Sequence, residues 1–158
     1  MIVRPLRPSD LPDIVGIEQR AMPAPWSESQ LREEIEVANG LALAMVCDDR
    51  LCGYAFFRTC FPECELVHLV VAPEWRRRGM AAALLTHVLA GFADQGYATC
   101  FLEVRESNEA ALGLYAQAGF LQTGRRKHYY SQPVENALLL TRDLAPAKER
   151  IDENTAGS

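Results

Sequence analysis

Residues 65–85, ELVHLVVAPEWRRRGMAAALL, decide how the rest of this chain is interpreted. The apolar run at residues 66–71 predicts a buried strand, and the alanine- and leucine-rich segment from Ala81 predicts a helix. Three arginines and Gly79 lie between them, so a basic turn precedes a helix N-terminus. The first N–H groups of a helix lack partners, its dipole favours negative charge, and glycine lets the backbone approach a ligand closely. The stretch therefore predicts an anion site suited to a phosphate-bearing cofactor.

The composition indicates one globular domain with local clusters of basic residues. The chain has 158 residues, 49% hydrophobic and 23% charged, with a net charge of −5. These values argue against nonspecific nucleic-acid binding as the main activity. No apolar run has the length of a membrane span and the N-terminus lacks a signal-peptide core, so a cytoplasmic protein is expected. The five cysteines, odd in number and irregularly spaced, are interpreted as reduced, mostly buried thiols without a metal site.

The hydrophobic periodicity predicts the element order β-α-α-β-β-β-α-β-α-β-β. Hairpin signals in the first half indicate antiparallel strands, whereas the strand–helix–strand at residues 66–105 predicts a parallel crossover. The expected fold class is α/β (α+β), with a mixed, mostly antiparallel central sheet and helices on both faces. A single domain is expected over residues 1–144, followed by a disordered polar tail at residues 145–158.

Three interpretations of the basic turn compete. A phosphate-binding NTPase loop requires Gly-Lys-Ser/Thr, which the sequence lacks. A dinucleotide-binding turn requires three glycines, but only Gly79 is present and the connection at residues 72–78 is long for that turn. The third pattern is Arg-x-x-Gly-x-Ala, formed by Arg76, Gly79 and Ala81. Residues 108–120 supply a second motif, N-x-A-A-x-x-L-Y-x-x-x-G-F.

These two motifs resemble the pyrophosphate loop and the second signature of the GNAT family of N-acetyltransferases. Further segments are similar to the RimI-type ribosomal-protein-alanine N-acetyltransferases and extend the resemblance over residues 1 to about 144: residues 17–21, 25–28, 102–105 and 107–108, and Arg126 with Tyr129 and Tyr130. Three positions depart from that pattern. Ala81 replaces the commoner second glycine, His68 stands where such enzymes more often carry Asn, and Glu135-Asn136 replaces a more usual acidic pair.

The resemblance implies transfer of an acetyl group from acetyl-CoA to the N-terminal α-amine of a protein, the N-terminal alanine of a small-subunit ribosomal protein. Direct transfer in a ternary complex is expected, because no cysteine lies in a motif that demands an acyl-enzyme, and no metal is expected. The expected partners are acetyl-CoA and a protein or peptide N-terminus, with no direct nucleic-acid or membrane contact. Two alternatives stay open: a related transferase acting on lysine or a small-molecule amine, and a non-catalytic acyl-CoA-binding sensor.

Two side chains are expected to carry the chemistry. Glu103 lies on a strand face beside Phe101, where a partly buried carboxylate would act as the base, directly or through water. It could instead be a solvated edge carboxylate or a partner of Arg105. Tyr115 lies seven residues after Asn108, and its phenol, with an ordinary pKa near 10, would protonate the departing thiolate. The alternative for Tyr115 is a tyrosine packed in the core.

The resemblance assigns the remaining site residues to the donor and to the peptide. The strand before the basic turn is expected to pair with the pantetheine arm, and the N–H of Val71 to polarise the thioester oxygen. The expected acetyl-CoA residues are Leu69, Val70, Val71, Arg76, Arg77, Arg78, Gly79, Met80, Ala81, Ala82 and Asn108, where Asn108 alternatively caps its helix. The expected peptide residues are Gln19, Arg20, Trp26, Tyr129 and Tyr130, with helix anchoring (Trp26) and strand packing (the tyrosines) as alternatives. Neither His68 nor His128 is assigned a catalytic role.

Overall fold

A computed structural model describes residues 1–131 and 133–144; the predicted tail at residues 145–158 lies outside this part of the chain. The described strands are β1 (Ile2–Pro5), β2 (Gly40–Cys47), β3 (Arg50–Cys60), β4 (Glu63–Val71), β5 (Thr99–Arg105), β6 (Leu121–Ser131) and β7 (Val134–Asp143). The α-helices are α1 (Leu11–Ala21), α2 (Glu28–Glu36), α3 (Met80–Asp94) and α4 (Glu109–Gln117). This order is the predicted one. None of the helices in the described ranges is long and apolar enough to cross a membrane.

The seven strands form one sheet in the order β1-β2-β3-β4-β5-β7-β6. Every neighbouring pair is antiparallel except β4 and β5, which are parallel and joined through α3. The predicted parallel crossover and the predicted mixed, mostly antiparallel sheet are therefore confirmed. A two-residue turn joins β2 to β3, in which Asp48 and Asp49 have φ values of 50° and 60°. Left-handed backbone at both central residues matches the twist of a tight hairpin.

Helices cover both faces of this sheet, as the residues of β3 show. Tyr54 and Phe56 pack in one core with α1 and α2, whereas Ala55 and Phe57 pack in a second core with α3 and α4. Successive side chains of a strand point to opposite faces, so the two helix pairs lie on opposite sides of the sheet. The α1/α2 core contains Leu6, Leu11, Ile14, Ile17, Leu31, Ala44 and Val70.

The sheet opens between β4 and β5, and this opening positions the site. The two strands pair only at residues 63–65 and 99–101, at the start of each strand. Beyond that point β4 pairs with β3 alone, and β5 pairs with β7 alone. A β-bulge at Val67 lies where β4 leaves β5, because Phe56 opposes His68 while Phe57 opposes Leu66. Along this β4–β5 gap, the facing backbone edges have no strand partner among the described residues, so an extended ligand can add there as a strand does.

Candidate active site

The basic turn ends at a helix N-terminus that is open to ligands. Gly79 precedes α3 with φ 71° and ψ 17°, and no side chain caps the helix. The first helical hydrogen bond runs from Ala83 N to Gly79 O, so the N–H groups of residues 80–82 have no helical acceptor. A Cβ built on Gly79 would meet no atom within 4 Å. This open, left-handed position beside unpaired N–H groups fits a pyrophosphate.

The three arginines of the turn are exposed, and two of them also hold the turn in place. Arg76 Nη2 donates to the carbonyl oxygen of Ala21 over 3.0 Å, which ties the turn to the end of α1. Arg78 stacks over Trp75, 4.6 Å from the ring centroid, and donates to Glu74 O over 3.3 Å. The three guanidinium groups thus lie just before α3 in the chain, and the contacts of Arg76 and Arg78 are with exposed groups.

The predicted donor residues of β4 border the gap with their backbone and the cores with their side chains. Val70 is buried in the α1/α2 core, whereas Leu69 and Val71 pack against the α3/α4 core. The side chains are those of core residues, and one edge of their backbone pairs with β3 while the other edge faces the gap. Asn108 is the N-cap of α4, where its Oδ1 accepts from Ala111 N over 3.2 Å. The capping alternative for Asn108 is confirmed, and its contact with acetyl-CoA stays a prediction.

Glu103 lies on β5 with 17% of its side chain exposed, and Arg126 on β6 is its ion-pair partner. The two atoms, Oε1 and Nη2, are 3.3 Å apart. Arg105, the partner considered from the sequence, pairs instead with Glu135 over 3.3 Å and stacks over Tyr130. Glu103 is thus partly buried, as expected, but its ion-pair partner lies on β6, whereas Arg105 lies on β5 with Glu103 itself.

Two predicted peptide residues, Tyr129 and Tyr130, lie beside this carboxylate. The negative charge of Glu103, followed by burial, raises the pKa of Tyr129; burial, followed by Glu103, raises the pKa of Tyr130. The rings meet edge to face with centroids 5.1 Å apart. β6 is irregular here, with His128 at φ 53°, and both rings lie beside side chains of β5: Tyr129 beside Glu103 and Tyr130 beneath Arg105. The structure therefore brings these tyrosines and Glu103 together.

Tyr115 lies on the other side of the sheet, in the α3/α4 core, with its ring edge against Phe120 at 5.8 Å. Its hydroxyl makes no hydrogen bond to any described residue, yet no buried side-chain oxygen or nitrogen in the described ranges lacks a partner. The hydroxyl therefore reaches solvent-accessible space. Burial, with smaller effects from Cys100 and Tyr130, raises the pKa of Tyr115 to about 12. The phenol keeps its proton at neutral pH and is a weaker acid than a free tyrosine.

The other predicted peptide residues divide into two groups. Gln19 and Arg20 are exposed near the end of α1, and Arg20 pairs with Glu74 of the basic turn over 3.0 Å. Trp26 instead packs inward from the α1–α2 connection, residues 22–27. The capping box Ser27–Gln30 then starts α2, with each residue's side chain bonded to the other's backbone N–H.

Sequence reasoning missed a buried polar group next to the gap, formed by Glu18, Tyr54, His68 and Trp26. Two signals pointed to it: a glutamate on the apolar face of α1 and a histidine inside the apolar run of β4. It also missed Glu65, whose pKa is raised by burial and by its neighbours Glu103 and Glu34, against the opposing effect of Arg58. Among the described residues, no group of three or more His, Cys, Asp or Glu side chains could hold a metal ion.

The sequence profile of the acetyltransferase (GNAT) family matches residues 11–120. The chain belongs to the GNAT acetyltransferase family. The family uses acetyl-CoA as its acetyl donor, and the open α3 N-terminus and the β4–β5 gap suit the pyrophosphate and the pantetheine arm of that donor.

Several relatives and solved structures show which members of the family this chain is similar to. The ribosomal protein bS18-alanine N-acetyltransferase of Salmonella typhimurium is 36% identical over 137 residues, covering 85% of this chain and 92% of that protein. The crystal structure of the ribosomal-protein-alanine N-acetyltransferase of Escherichia coli superposes with a TM-score of 0.86 at 31% identity, covering 92% and 95% of the two chains. The PaiA N-acetyltransferase of Thermoplasma acidophilum, solved with coenzyme A, shares the fold with a TM-score of 0.75 at 17% identity, covering 90% and 98%.

Proposed function

We propose that this GNAT acetyltransferase acetylates the N-terminal α-amine of a protein, and that its substrate is a ribosomal protein that begins with alanine. The observation that carries the proposal is the β4–β5 gap, which Glu103 flanks on β5 and which leads to the open N-terminus of α3. The bacterial relatives at 36% and 31% identity, both alanine N-acetyltransferases of a ribosomal protein, support this choice of substrate.

The donor half of the proposal assigns two surfaces to acetyl-CoA. The backbone of Leu69, Val70 and Val71 would pair with the amide groups of the pantetheine arm, because that edge of β4 has no strand partner in the described chain. The turn at residues 76–79 and the N–H groups at residues 80–82 would hold the pyrophosphate, since they combine positive charge with free donors.

The chemical half assigns the two proton transfers to Glu103 and Tyr115. The amine nitrogen forms a bond to the thioester carbonyl carbon while the carbon–sulfur bond breaks. Glu103 accepts the proton that the amine loses, directly or through a water molecule. Tyr115 donates a proton to the sulfur that leaves, and its raised pKa guarantees that the phenol holds a proton to donate. Its hydroxyl is free for this contact because no described residue occupies it.

Direct transfer in a ternary complex fits the cysteines near the gap. Cys64 and Cys100 oppose each other where β4 and β5 still pair, and their exposed fractions are 1% and 0%. The hydrogen bond with Cys64, together with burial, raises the pKa of Cys100. The same hydrogen bond lowers the pKa of Cys64 against the effect of burial, but burial closes both sulfur atoms off from a substrate. Neither residue is therefore suited to carry the acetyl group as a covalent intermediate.

An α-amine is the easier nucleophile for a single carboxylate base. Its pKa is about 8, against about 10.4 for lysine, so at pH 7 roughly a tenth of α-amines are neutral but only a few lysines in ten thousand. The surroundings favour a cationic peptide, because Glu65 lies near Glu103 and the whole chain has a net charge of −5. Complementary charge speeds the encounter of such partners.

The test compares three peptides of otherwise identical sequence with acetyl-CoA. The first begins Ala-Arg with a free N-terminus, the second is the same peptide with a blocked N-terminus and an internal lysine, and the third begins Ala-Glu. Mass spectrometry locates the added acetyl group. We expect α-amine acetylation that is fastest for the first peptide and absent from the second. Faster reaction of the blocked peptide would identify a lysine transferase, and no reaction with any amine would favour an acyl-CoA sensor.

A further inference from the structure

Glu18 is a completely buried carboxylate near the end of α1, with an exposed fraction of 0%. Three donors surround it. Tyr54 donates its hydroxyl hydrogen to Oε1 over 2.6 Å, and His68 Nε2 lies 2.6 Å from the same oxygen. The backbone N–H of Trp26 donates to Oε2 over 3.1 Å. A buried carboxylate with three converging donors is fully satisfied and fixes the positions of all three.

The charge state of Glu18 defines the role of each partner. Burial alone would raise the pKa of Glu18, but the hydrogen bonds from His68, Tyr54 and Trp26 outweigh it and hold the pKa below its usual range. Glu18 is therefore ionised and can only accept hydrogen bonds. The hydrogen between Glu18 and His68 must then lie on Nε2, which fixes the orientation of the imidazole ring.

His68 and Glu18 hold Trp26 by two different contacts. The indole ring stacks on the imidazole of His68, with centroids 4.1 Å apart and an interplanar angle of 13°. The same residue donates its backbone N–H to Glu18. Trp26 belongs to the α1–α2 connection, which contains Pro23 and Pro25, and prolines supply no backbone N–H to anchor a loop. Side chains of α1 and β4 therefore do the anchoring.

The polar group around Glu18 lies on the side of the gap where the peptide would bind. His68 follows the bulge at Val67, where β4 leaves β5, and it faces the α1/α2 side of the sheet with Phe56. Glu103 points to that same side, because its strand neighbours Leu102 and Val104 pack in the α3/α4 core. His68 and Glu103 thus stand on opposite edges of the gap and on one face of the sheet.

We propose that Glu18 and His68 are positioning residues, which fix Trp26 and the α1–α2 connection as the wall against which the substrate N-terminus is placed. This inference rests on the proposed function and on the expectation from the sequence that Trp26 contacts the peptide. The predicted consequence is selective: loss of the His68 contacts weakens peptide use and leaves acetyl-CoA binding unchanged. The donor would contact the backbone of residues 69–71 and the turn at residues 76–82, and not the side chain of His68.

The experiment compares His68→Ala, His68→Gln and Tyr54→Phe with the wild-type protein. His68→Ala removes the stacking contact with Trp26 and the hydrogen bond to Glu18. His68→Gln restores only a donor for Glu18. Tyr54→Phe removes one donor from the same carboxylate but touches neither contact of Trp26, so it controls for lost stability. We expect His68→Ala to raise the peptide KM about tenfold with acetyl-CoA affinity unchanged, since small misplacements of substrate are costly. His68→Gln should recover part of that loss, and Tyr54→Phe should lower the melting temperature without raising the peptide KM.

A second readout does not depend on activity. Trp75→Phe leaves Trp26 as the sole tryptophan, because the chain contains two. In that background, acrylamide should quench the fluorescence of Trp26 more strongly after His68→Ala than after Tyr54→Phe. Equal quenching, or a peptide KM that follows melting temperature in all three variants, would overturn the inference. If the wild-type protein acetylates no peptide, the proposed function fails instead, and the quenching result still decides whether His68 holds Trp26.

Discussion

The carboxylate of Glu103 is paired with the guanidinium of Arg126, 3.3 Å away on the outermost strand of the sheet. The two partners differ in exposure, with 17% of the Glu103 side chain and 60% of the Arg126 side chain exposed. An ion pair with one solvated partner contributes little to stability, and the long arginine can swing away at small cost. Arg126 is therefore a displaceable counter-ion for Glu103, and in the proposed reaction its departure would leave the carboxylate free to meet the substrate amine.

Replacement of Glu103 by Gln should lower turnover by about a hundredfold or more, because the amide cannot accept the amine proton. The shape of the side chain is kept, so the melting temperature and the acetyl-CoA affinity should change little. Steady-state kinetics with the Ala-Arg peptide measure the effect. Arg126→Gln is the matched control, since it removes the other half of the same ion pair, and its turnover should fall far less. Equal losses in the two variants would assign the effect to the ion pair rather than to a base.

Replacement of Tyr115 by Phe keeps the ring against Phe120 and removes only the hydroxyl. Turnover should drop by about a hundredfold, the lower range for loss of a general acid, with little change in acetyl-CoA affinity. Stability should be preserved, because the hydroxyl has no hydrogen-bond partner among the described residues to lose. The separation of kcat from cofactor affinity, measured by kinetics and calorimetry, tests the assignment. Wild-type turnover in this variant would make Tyr115 a core residue only.

The sequence predicted the fold well because its signals are local. The apolar run and helix around Gly79, the capping box at Ser27 and the alternation along β5 each depend on neighbouring residues, and each appears in the structure. Membership of the GNAT family follows from the same local motifs.

The contacts around Glu103 and Glu18 could not be obtained in this way. The pairing of Glu103 with Arg126 depends on the irregular register of β6, which no periodicity encodes. Glu18 and His68 are separated by 50 positions and meet only because a bulge turns His68 toward α1. A polar residue on an apolar face predicts a buried partner, but tertiary packing decides which residue that partner is.

The ion pair between Asp10 and Arg4 makes the free energy of unfolding depend on pH in the acid range. Asp10 accepts two hydrogen bonds from Arg4, at 2.8 and 3.0 Å, and one from Arg7 N at 2.8 Å. The hydrogen bond from Arg4, aided by Arg7 against the effect of burial, lowers the pKa of Asp10 below its ordinary 3.8. Because the folded pKa is depressed, the stabilisation is complete above the ordinary value and is lost as the pH falls through the folded value.

Asp10→Asn should therefore destabilise the protein at pH 7 by about 1.5–3 kcal/mol, the range for a hydrogen bond to a charged group. The difference from wild type should close below pH 3.8. Urea unfolding at several pH values measures both effects. Glu28→Gln is the control, since its ion pair with Arg32 is exposed on both sides and should be worth under about 0.5 kcal/mol. A constant difference at all pH values would attribute the loss to packing.

Acetyl-CoA affinity should respond to charge at Gly79, because the proposed pyrophosphate site lies around it. Gly79→Asp and Gly79→Asn form a matched pair: both side chains have the same shape, and both tolerate the left-handed backbone at φ 71° better than other residues do. Both also project into space that is free in the structure, so the fold should survive equally in the two variants.

Calorimetry should show at least about tenfold weaker acetyl-CoA binding for Asp than for Asn, since a negative charge there repels phosphate. The difference should shrink as salt is added, because salt screens exposed charges. Equal affinities in two folded variants would remove this turn from the donor site.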